Sequence, residues 1–126
     1  MSKIMVVDDE PHIVKLLEKF LSLKGFEVLG VGDGKKALEL IKTNSDIDLI
    51  IIDMKMPDFS GINVLKEIKT MNKNIPAIIL SGCPDVETND CEDLKTMGFN
   101  AEEVLCKPMD LFVLLDIINK MLAKKN

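Results

Sequence analysis

Acidic residues directly follow two of the most apolar runs in the sequence. Asp8 and Asp9 follow IMVV, and Asp53 follows LIII. A single aspartate at such a place is usually a turn or helix-cap residue, and Asp9 is suited to cap the helix that follows it. Three carboxylates brought together repel one another unless a cation enters. Carboxylate oxygens suit Mg²⁺ rather than Zn²⁺, and Mg²⁺ bound by a few carboxylates keeps positions open for phosphate oxygens.

A hydroxyl group and an ammonium group follow two later apolar runs. Ser81 follows AIIL, and Lys107 follows VLC. A lysine supplies a positive charge for a phosphoryl oxygen, and a serine hydroxyl can donate a further hydrogen bond. An aspartate can itself be the nucleophile and form an aspartyl phosphate. Together these residue types are the ones that phosphoryl transfer to a carboxylate requires.

Alternating apolar runs and helical patterns predict how these residues are positioned. Continuous apolar runs are typical of a parallel sheet that is buried on both faces. Right-handed crossovers then give a doubly wound, five-stranded α/β fold with helices on both faces. The carboxyl ends of such strands meet at one edge, where ligands bind. The predicted strands are 3–9, 26–31, 47–53, 75–81 and 102–106, and the predicted helices are 10–25, 34–44, 62–71, a short one from Asn89 or Asp90 to Met97, and 110–125.

Composition limits the classes of function. A chain of 126 residues without an internal linker is expected to form a single domain. The net charge of −5 argues against nonspecific binding of nucleic acid. The sequence has no signal peptide and no apolar run long enough to cross a membrane, so we expect a cytoplasmic location and no membrane partner. The three cysteines show no CxxC spacing, which disfavours a zinc site.

Four motifs, VVDDEP, IIDMKMPDFSG, ILSG and CKP, resemble those of the receiver domain of bacterial two-component response regulators, a chemotaxis-protein-like family. The resemblance extends over essentially the whole chain. It implies a flavodoxin-like fold with strand order 2-1-3-4-5, and it makes 1–126 a single receiver domain with no output domain on this chain.

The resemblance also implies roles for individual residues. Asp53 matches the phosphoacceptor. Mg²⁺ would be bound by Asp8, Asp9 and Asp53, together with the backbone carbonyl of Lys55. Ser81 and Lys107 match the residues that contact the phosphoryl group, and the peptide bond between Lys107 and Pro108 is expected to be cis.

Two features concern how such a domain signals. Val104 stands where receivers typically carry an aromatic switch residue, and valine has no comparable buried and exposed rotamers. The last predicted helix is apolar over roughly 200° of its circumference. Either this helix is deeply buried, or Phe112, Val113 and Ile117 form a contact surface for a partner or a second copy of the chain.

The leading hypothesis is a phosphoacceptor switch that receives its phosphoryl group from a histidine kinase or a phosphotransfer protein. Such a chain is not an enzyme beyond its own phosphoryl uptake and dephosphorylation. One alternative is a phosphatase with Asp53 as nucleophile, although Lys55 stands where that chemistry requires a second aspartate. Another is a degenerate receiver that acts only as an interaction module.

Overall fold

Strands and helices alternate along the part of the chain that the structure describes. This computed structural model describes residues 2–44, 46–54, 61–71, 75–82, 104–107 and 110–125. Within these ranges no helix is both long and apolar enough to cross a membrane. The elements are β1 (Lys3–Val7), α1 (Pro11–Leu23), β2 (Glu27–Val31), α2 (Gly34–Thr43), β3 (Leu49–Asp53), α3 (Gly61–Thr70), β4 (Ala77–Gly82), β5 (Val104–Lys107) and α4 (Leu111–Lys125).

The strands form one parallel sheet in the order β2-β1-β3-β4-β5. The order of the first four strands agrees with the prediction, and the short strand β5 pairs with β4 from Ile79↔Val104 to Gly82↔Lys107. Strand β1 lies inside the sheet rather than at an edge, because it pairs with both β2 and β3. This order brings the carboxyl ends of β1 and β3 next to each other.

Helices cover both faces of the sheet, as predicted. Every residue of β3 is buried, which explains why its sequence is a continuous apolar run. Successive side chains alternate between the faces, so β1 and β3 each contribute to two cores. On one face Met5, Val7, Ile50 and Ile52 pack with α2 and α3, and on the other Ile4, Val6, Leu49 and Ile51 pack with α1 and α4.

Pro11 and Gly25 mark the two ends of α1 as the sequence predicts, but the N-cap residue differs from the predicted one. Pro11 begins the helix, where its missing N–H is not needed, and Gly25 just beyond the helix has a φ of 94°. The expectation that Asp9 caps α1 is wrong. Glu10 occupies the N-cap position without a side-chain capping bond, and its carbonyl accepts from the N–H of Ile13 at 3.1 Å.

Some strand limits differ from those predicted. The fourth strand was predicted over 75–81, with Ser81 as its last residue, but β4 continues through Gly82, so Ser81 lies inside it. Lys107 is the last residue of β5 rather than the residue after it. Backbone pairing causes both differences, because it extends beyond the apolar side chains that marked the strands. The helix expected between Asn89 or Asp90 and Met97 lies outside the described residues.

Helix α4 packs one side on the sheet and exposes the other. Leu114 and Ile118 are fully buried, whereas Phe112 is 70% exposed and Val113 is 50% exposed. Ile117 is partly buried against the core. The interpretation of α4 as deeply buried all round is therefore wrong. The exposed surface that remains includes two of the three residues predicted to form a contact surface.

Candidate functional site

Three carboxylates meet at the carboxyl edge of the sheet. Asp8, Asp9 and Asp53 each offer an oxygen atom, and these atoms all lie within 4.8 Å of one another. Asp8 is fully buried, Asp53 is 6% exposed, and Asp9 is exposed. The structure thus brings together the three aspartates that the sequence predicted at a metal site.

The register of the sheet accounts for this meeting. The last pair between β1 and β3 is Val7↔Ile52. One step further along both strands, Asp8 and Asp53 are neighbours. Both also continue the alternation that directs Val6 and Ile51 to the face covered by α1 and α4. Asp8 and Asp53, which are far apart in sequence, therefore lie side by side because β1 and β3 are parallel and paired in this register.

Backbone groups hold Asp8 in place. Its Oδ1 accepts a hydrogen bond from the N–H of Glu10 at 3.0 Å. Its own N–H donates to the carbonyl of Val31 at 3.1 Å, which ties it to the end of β2. The turn into α1 therefore fixes one carboxylate oxygen of Asp8. The role of the Glu10 N–H was not predicted, since a backbone donor leaves no mark in the sequence.

Met54, the residue after Asp53, is held between β4 and α3. The N–H of Met54 donates to the carbonyl of Leu80 at 2.9 Å, and the N–H of Gly61 donates to the carbonyl of Met54 at 3.0 Å. The side chain of Met54 is buried in the core that includes α2 and α3. Asp53 therefore sits on backbone that is anchored on both sides.

The electrostatics of the site favour a divalent cation. Burying a carboxylate is costly unless an opposite charge or hydrogen-bond donors compensate for it, and here two of three adjacent carboxylates are buried. A hard cation with oxygen ligands would relieve their repulsion. Because the donors are all carboxylate oxygens and one of the three aspartates is exposed, the donor set fits Mg²⁺ with positions left for other oxygen ligands.

A cavity of about 210 Å³ adjoins the acidic cluster between α1 and the end of β2. The sequence did not predict it, because the end of β2 supplies no charged side chain. The sequence feature that could have indicated the cavity is the GVG stretch, because Gly30 and Gly32 line it without side chains. A Cβ on Gly30 would lie 2.5 Å from Cγ1 of Val14, whereas one on Gly32 would meet no atom within 4 Å. The cavity is lined by Asp8, Asp9, Pro11, Val14, Lys15, Glu18, Gly30, Val31 and Gly32.

Backbone pairing puts two further predicted site residues at the same edge. Ser81 pairs with Cys106, and Lys107 pairs with Gly82, each one or two steps beyond the pair Asp53↔Leu80 along β4. The side chains of Ser81, Val104 and Lys107 lie outside what the structure describes. Lys55 and Pro108 also lie outside the described residues, so the metal-binding carbonyl and the cis peptide bond stay predictions.

Similar proteins agree on one family. Residues 4–119 match the response regulator receiver domain. Response regulator SaeR of Staphylococcus epidermidis is 32% identical over 124 residues, which are 98% of this chain and 52% of SaeR. The chain thus spans about half the length of the curated relatives it matches.

Solved structures show the same fold. The receiver domain of Francisella response regulator 1452 superposes with a TM-score of 0.87 at 34% identity, and the match covers 100% of both chains. Response regulator TrrA of Thermotoga maritima, solved in complex with Mg²⁺ and BeF, superposes with a TM-score of 0.81 at 30% identity over 96% of this chain and 99% of TrrA. With its parallel sheet, its acidic edge and this match over residues 4–119, the chain belongs to the response regulator receiver domain family of two-component signalling.

Proposed function

We propose that this chain is a phosphoacceptor switch in which Asp53 receives a phosphoryl group from a histidine kinase or a phosphotransfer protein. The observation that carries the proposal is the nearly buried carboxylate of Asp53 among the oxygens of Asp8 and Asp9. A buried acid at the end of a fully buried strand has a fixed position, which in-line attack on phosphorus requires.

The transfer conserves atoms and charge in a simple way. A carboxylate oxygen of Asp53 forms a bond to phosphorus, while the bond from phosphorus to the donor's histidine nitrogen breaks. The donor nitrogen keeps the electron pair of that bond, and a proton taken up by the ring from water returns it to neutral imidazole. The product on this chain is an acyl phosphate. Hydrolysis later returns the carboxylate and releases inorganic phosphate, so the only reaction that this chain catalyses is its own modification and reversal.

Asp8 and Asp9, with Asp53, would hold Mg²⁺, and bound Mg²⁺ supplies positive charge for the phosphoryl oxygens. The complex of TrrA with Mg²⁺ and BeF supports this assignment. In the proposed site the N–H of Glu10 keeps one oxygen of Asp8 engaged and so orients its carboxylate. The backbone carbonyl of Lys55 would complete the ligands from this chain.

After transfer, Ser81 and Lys107 would contact the phosphoryl group at the edge where β4 and β5 pair. Because Val104 takes the place of the usual aromatic residue, the change at the site would reach the surface without an aromatic rotamer switch. The surface that responds would be formed by Phe112, Val113 and Ile117. It would bind a downstream protein or a second copy of the chain.

The proposal is tested with acetyl phosphate, a small donor that needs no docking surface. The purified chain is incubated with acetyl phosphate and MgCl₂, and its intact mass is measured. We expect a single phosphoryl adduct in the wild type. The adduct should not form when EDTA has removed Mg²⁺ beforehand, and it should not form in Asp53→Asn. The matched control is Asp116→Asn, which changes an exposed aspartate on α4 that pairs with Lys120 at 3.2 Å.

The outcomes separate the hypotheses. An adduct in the wild type and in Asp116→Asn, but not in Asp53→Asn, supports the switch. The absence of any adduct in the wild type would favour a degenerate receiver that acts only as an interaction module. Steady release of phosphate from many phosphomonoesters, with Asp53 required, would instead favour the phosphatase.

A further inference from the structure

The first residue of α3 packs directly against the peptide group of Asp53. A Cβ built on Gly61 would overlap the backbone oxygen of Asp53 and would lie 3.1 Å from its carbonyl carbon and from Cα of Met54. All three of these atoms are backbone atoms, which cannot rotate away as a side chain can. The absence of a side chain at position 61 is therefore what allows this approach.

Space, rather than backbone conformation, explains this glycine. Among the described residues, the glycine with a positive φ is Gly25, at the end of α1. Gly61 lies in the ordinary region, so alanine could adopt its φ without strain. The requirement at position 61 comes from the neighbouring strand end.

We propose that Gly61 is a positioning residue for the phosphoacceptor, a proposal that rests on the function proposed above. By letting α3 begin against the peptide of Asp53, it fixes the carboxylate of Asp53 relative to those of Asp8 and Asp9. The hydrogen bond from the N–H of Gly61 to the carbonyl of Met54 also keeps the start of α3 against the end of β3.

A methyl group at position 61 would displace the backbone around Asp53. The peptide of Asp53 and the start of α3 must separate, while Met54 stays bonded to Leu80 of β4. The strain therefore falls on the backbone of Asp53. A misplacement of about 1 Å at a reacting group can reduce a rate by roughly 10²-fold.

The test compares Gly61→Ala with Gly25→Ala. Alanine at Gly25 is strained by the positive φ, so it lowers stability at a place distant from the acidic edge. Urea unfolding measures the stability of each variant. Calorimetric titration with Mg²⁺ measures metal affinity, and the dependence of adduct formation on acetyl phosphate concentration gives the rate at saturation and the half-saturating concentration. Both variants are assayed well below their melting temperatures, with trimethylamine N-oxide added to favour the folded state.

We expect Gly61→Ala to weaken Mg²⁺ binding and to lower the saturated rate by at least about 10-fold. Gly25→Ala should leave both quantities within about two-fold of the wild type, because its strain does not reach Asp53. Equal rates and equal Mg²⁺ affinities in Gly61→Ala and the wild type would overturn the proposal. Equal losses in the two variants would also overturn it, since they would show a general effect of stability.

Two remaining outcomes are equally decisive. If Gly61→Ala stays unfolded even with the osmolyte, the glycine is needed for folding and a selective positioning role is wrong. If the wild type forms no adduct at all, the proposed function fails. The Mg²⁺ titration of Gly61→Ala still shows in that case whether Gly61 positions the carboxylates.

Discussion

The acidic edge and the Phe20–Phe112 contact depart from the usual distribution of residues in opposite ways. At the edge, Asp8 and Asp53 are acidic and buried. At the contact, Phe112 is apolar and 70% exposed, with its ring 5.9 Å from that of Phe20 in an edge-to-face arrangement. Buried charge and exposed large apolar surface are the two departures that carry information about function.

The difference lies in what holds each region. The acidic edge rests on paired strands and on hydrogen bonds from backbone groups. The aromatic contact rests on two rings and on Lys24, whose Nζ lies 5.6 Å from the centroid of Phe20 and 5.9 Å from that of Phe112. The first region is held by backbone groups, whereas the second is held by side-chain contacts at the surface.

The substitution with the largest expected effect removes core packing beneath the acidic edge. Ile51 is fully buried in the face that includes α1 and α4. We expect Ile51→Ala to lower the free energy of unfolding by about 2–5 kcal/mol through lost burial and a cavity, as measured by urea denaturation. Leu23→Ala is the control, because Leu23 is 76% exposed, and it should change stability by no more than about 0.5 kcal/mol. Equal losses in the two variants would contradict the comparison.

A substitution with a smaller expected effect tests the role of negative charge at the acidic edge. Asp8→Asn keeps an oxygen that can accept from the N–H of Glu10, but it removes a negative charge. At Mg²⁺ concentrations 100-fold above the Kd, the wild type should gain about 2.7 kcal/mol of stability. We expect Asp8→Asn to lose most of this gain and to keep its stability without Mg²⁺. Thermal unfolding with and without Mg²⁺ measures both.

Asp116→Asn serves as the control for Asp8→Asn, because it removes the same charge from the exposed side of α4. Its response to Mg²⁺ should equal that of the wild type. A full Mg²⁺ response in Asp8→Asn would show that the ion binds elsewhere and would reject the acidic cluster as its site.

The smallest effect concerns the aromatic contact. A double-mutant cycle with Phe20→Leu and Phe112→Leu should give a coupling energy of about 0.5–1.5 kcal/mol, the range for edge-to-face ring pairs. The pair Phe112→Leu and Thr43→Ala, on opposite faces of the sheet, should be additive within about 0.5 kcal/mol. None of these variants should alter the Mg²⁺ response. A change in that response would show that the two regions are coupled in the unmodified protein.

Several features could be predicted from the sequence because they follow from local pattern. The apolar runs before Asp8 and Asp53 identify buried parallel strands, and the carboxyl ends of such strands meet at one edge. Pro11 and Gly25 mark the ends of α1 because their backbone requirements are intrinsic to the residue type.

Other features depend on contacts that a linear pattern does not specify. The arc of apolar residues on α4 does not reveal which part meets the sheet, so the exposure of Phe112 emerges only from the packing. The need for glycine at position 61 arises from the peptide of Asp53, which belongs to another element. Ser81 lies within β4 because backbone pairing continues beyond the apolar side chains.

The pairing of β1 with β3 has a consequence for the order of events in folding. Asp8 and Asp53 become neighbours only when β3 pairs with β1, and α1, β2 and α2 lie between these two strands in the sequence. That pairing is nonlocal, so its loop-closure entropy must be overcome before the carboxylates can share a cation. A cation held at this edge therefore cannot assist the earliest collapse of the chain. We therefore expect a cation bound at this edge to slow unfolding rather than to speed folding.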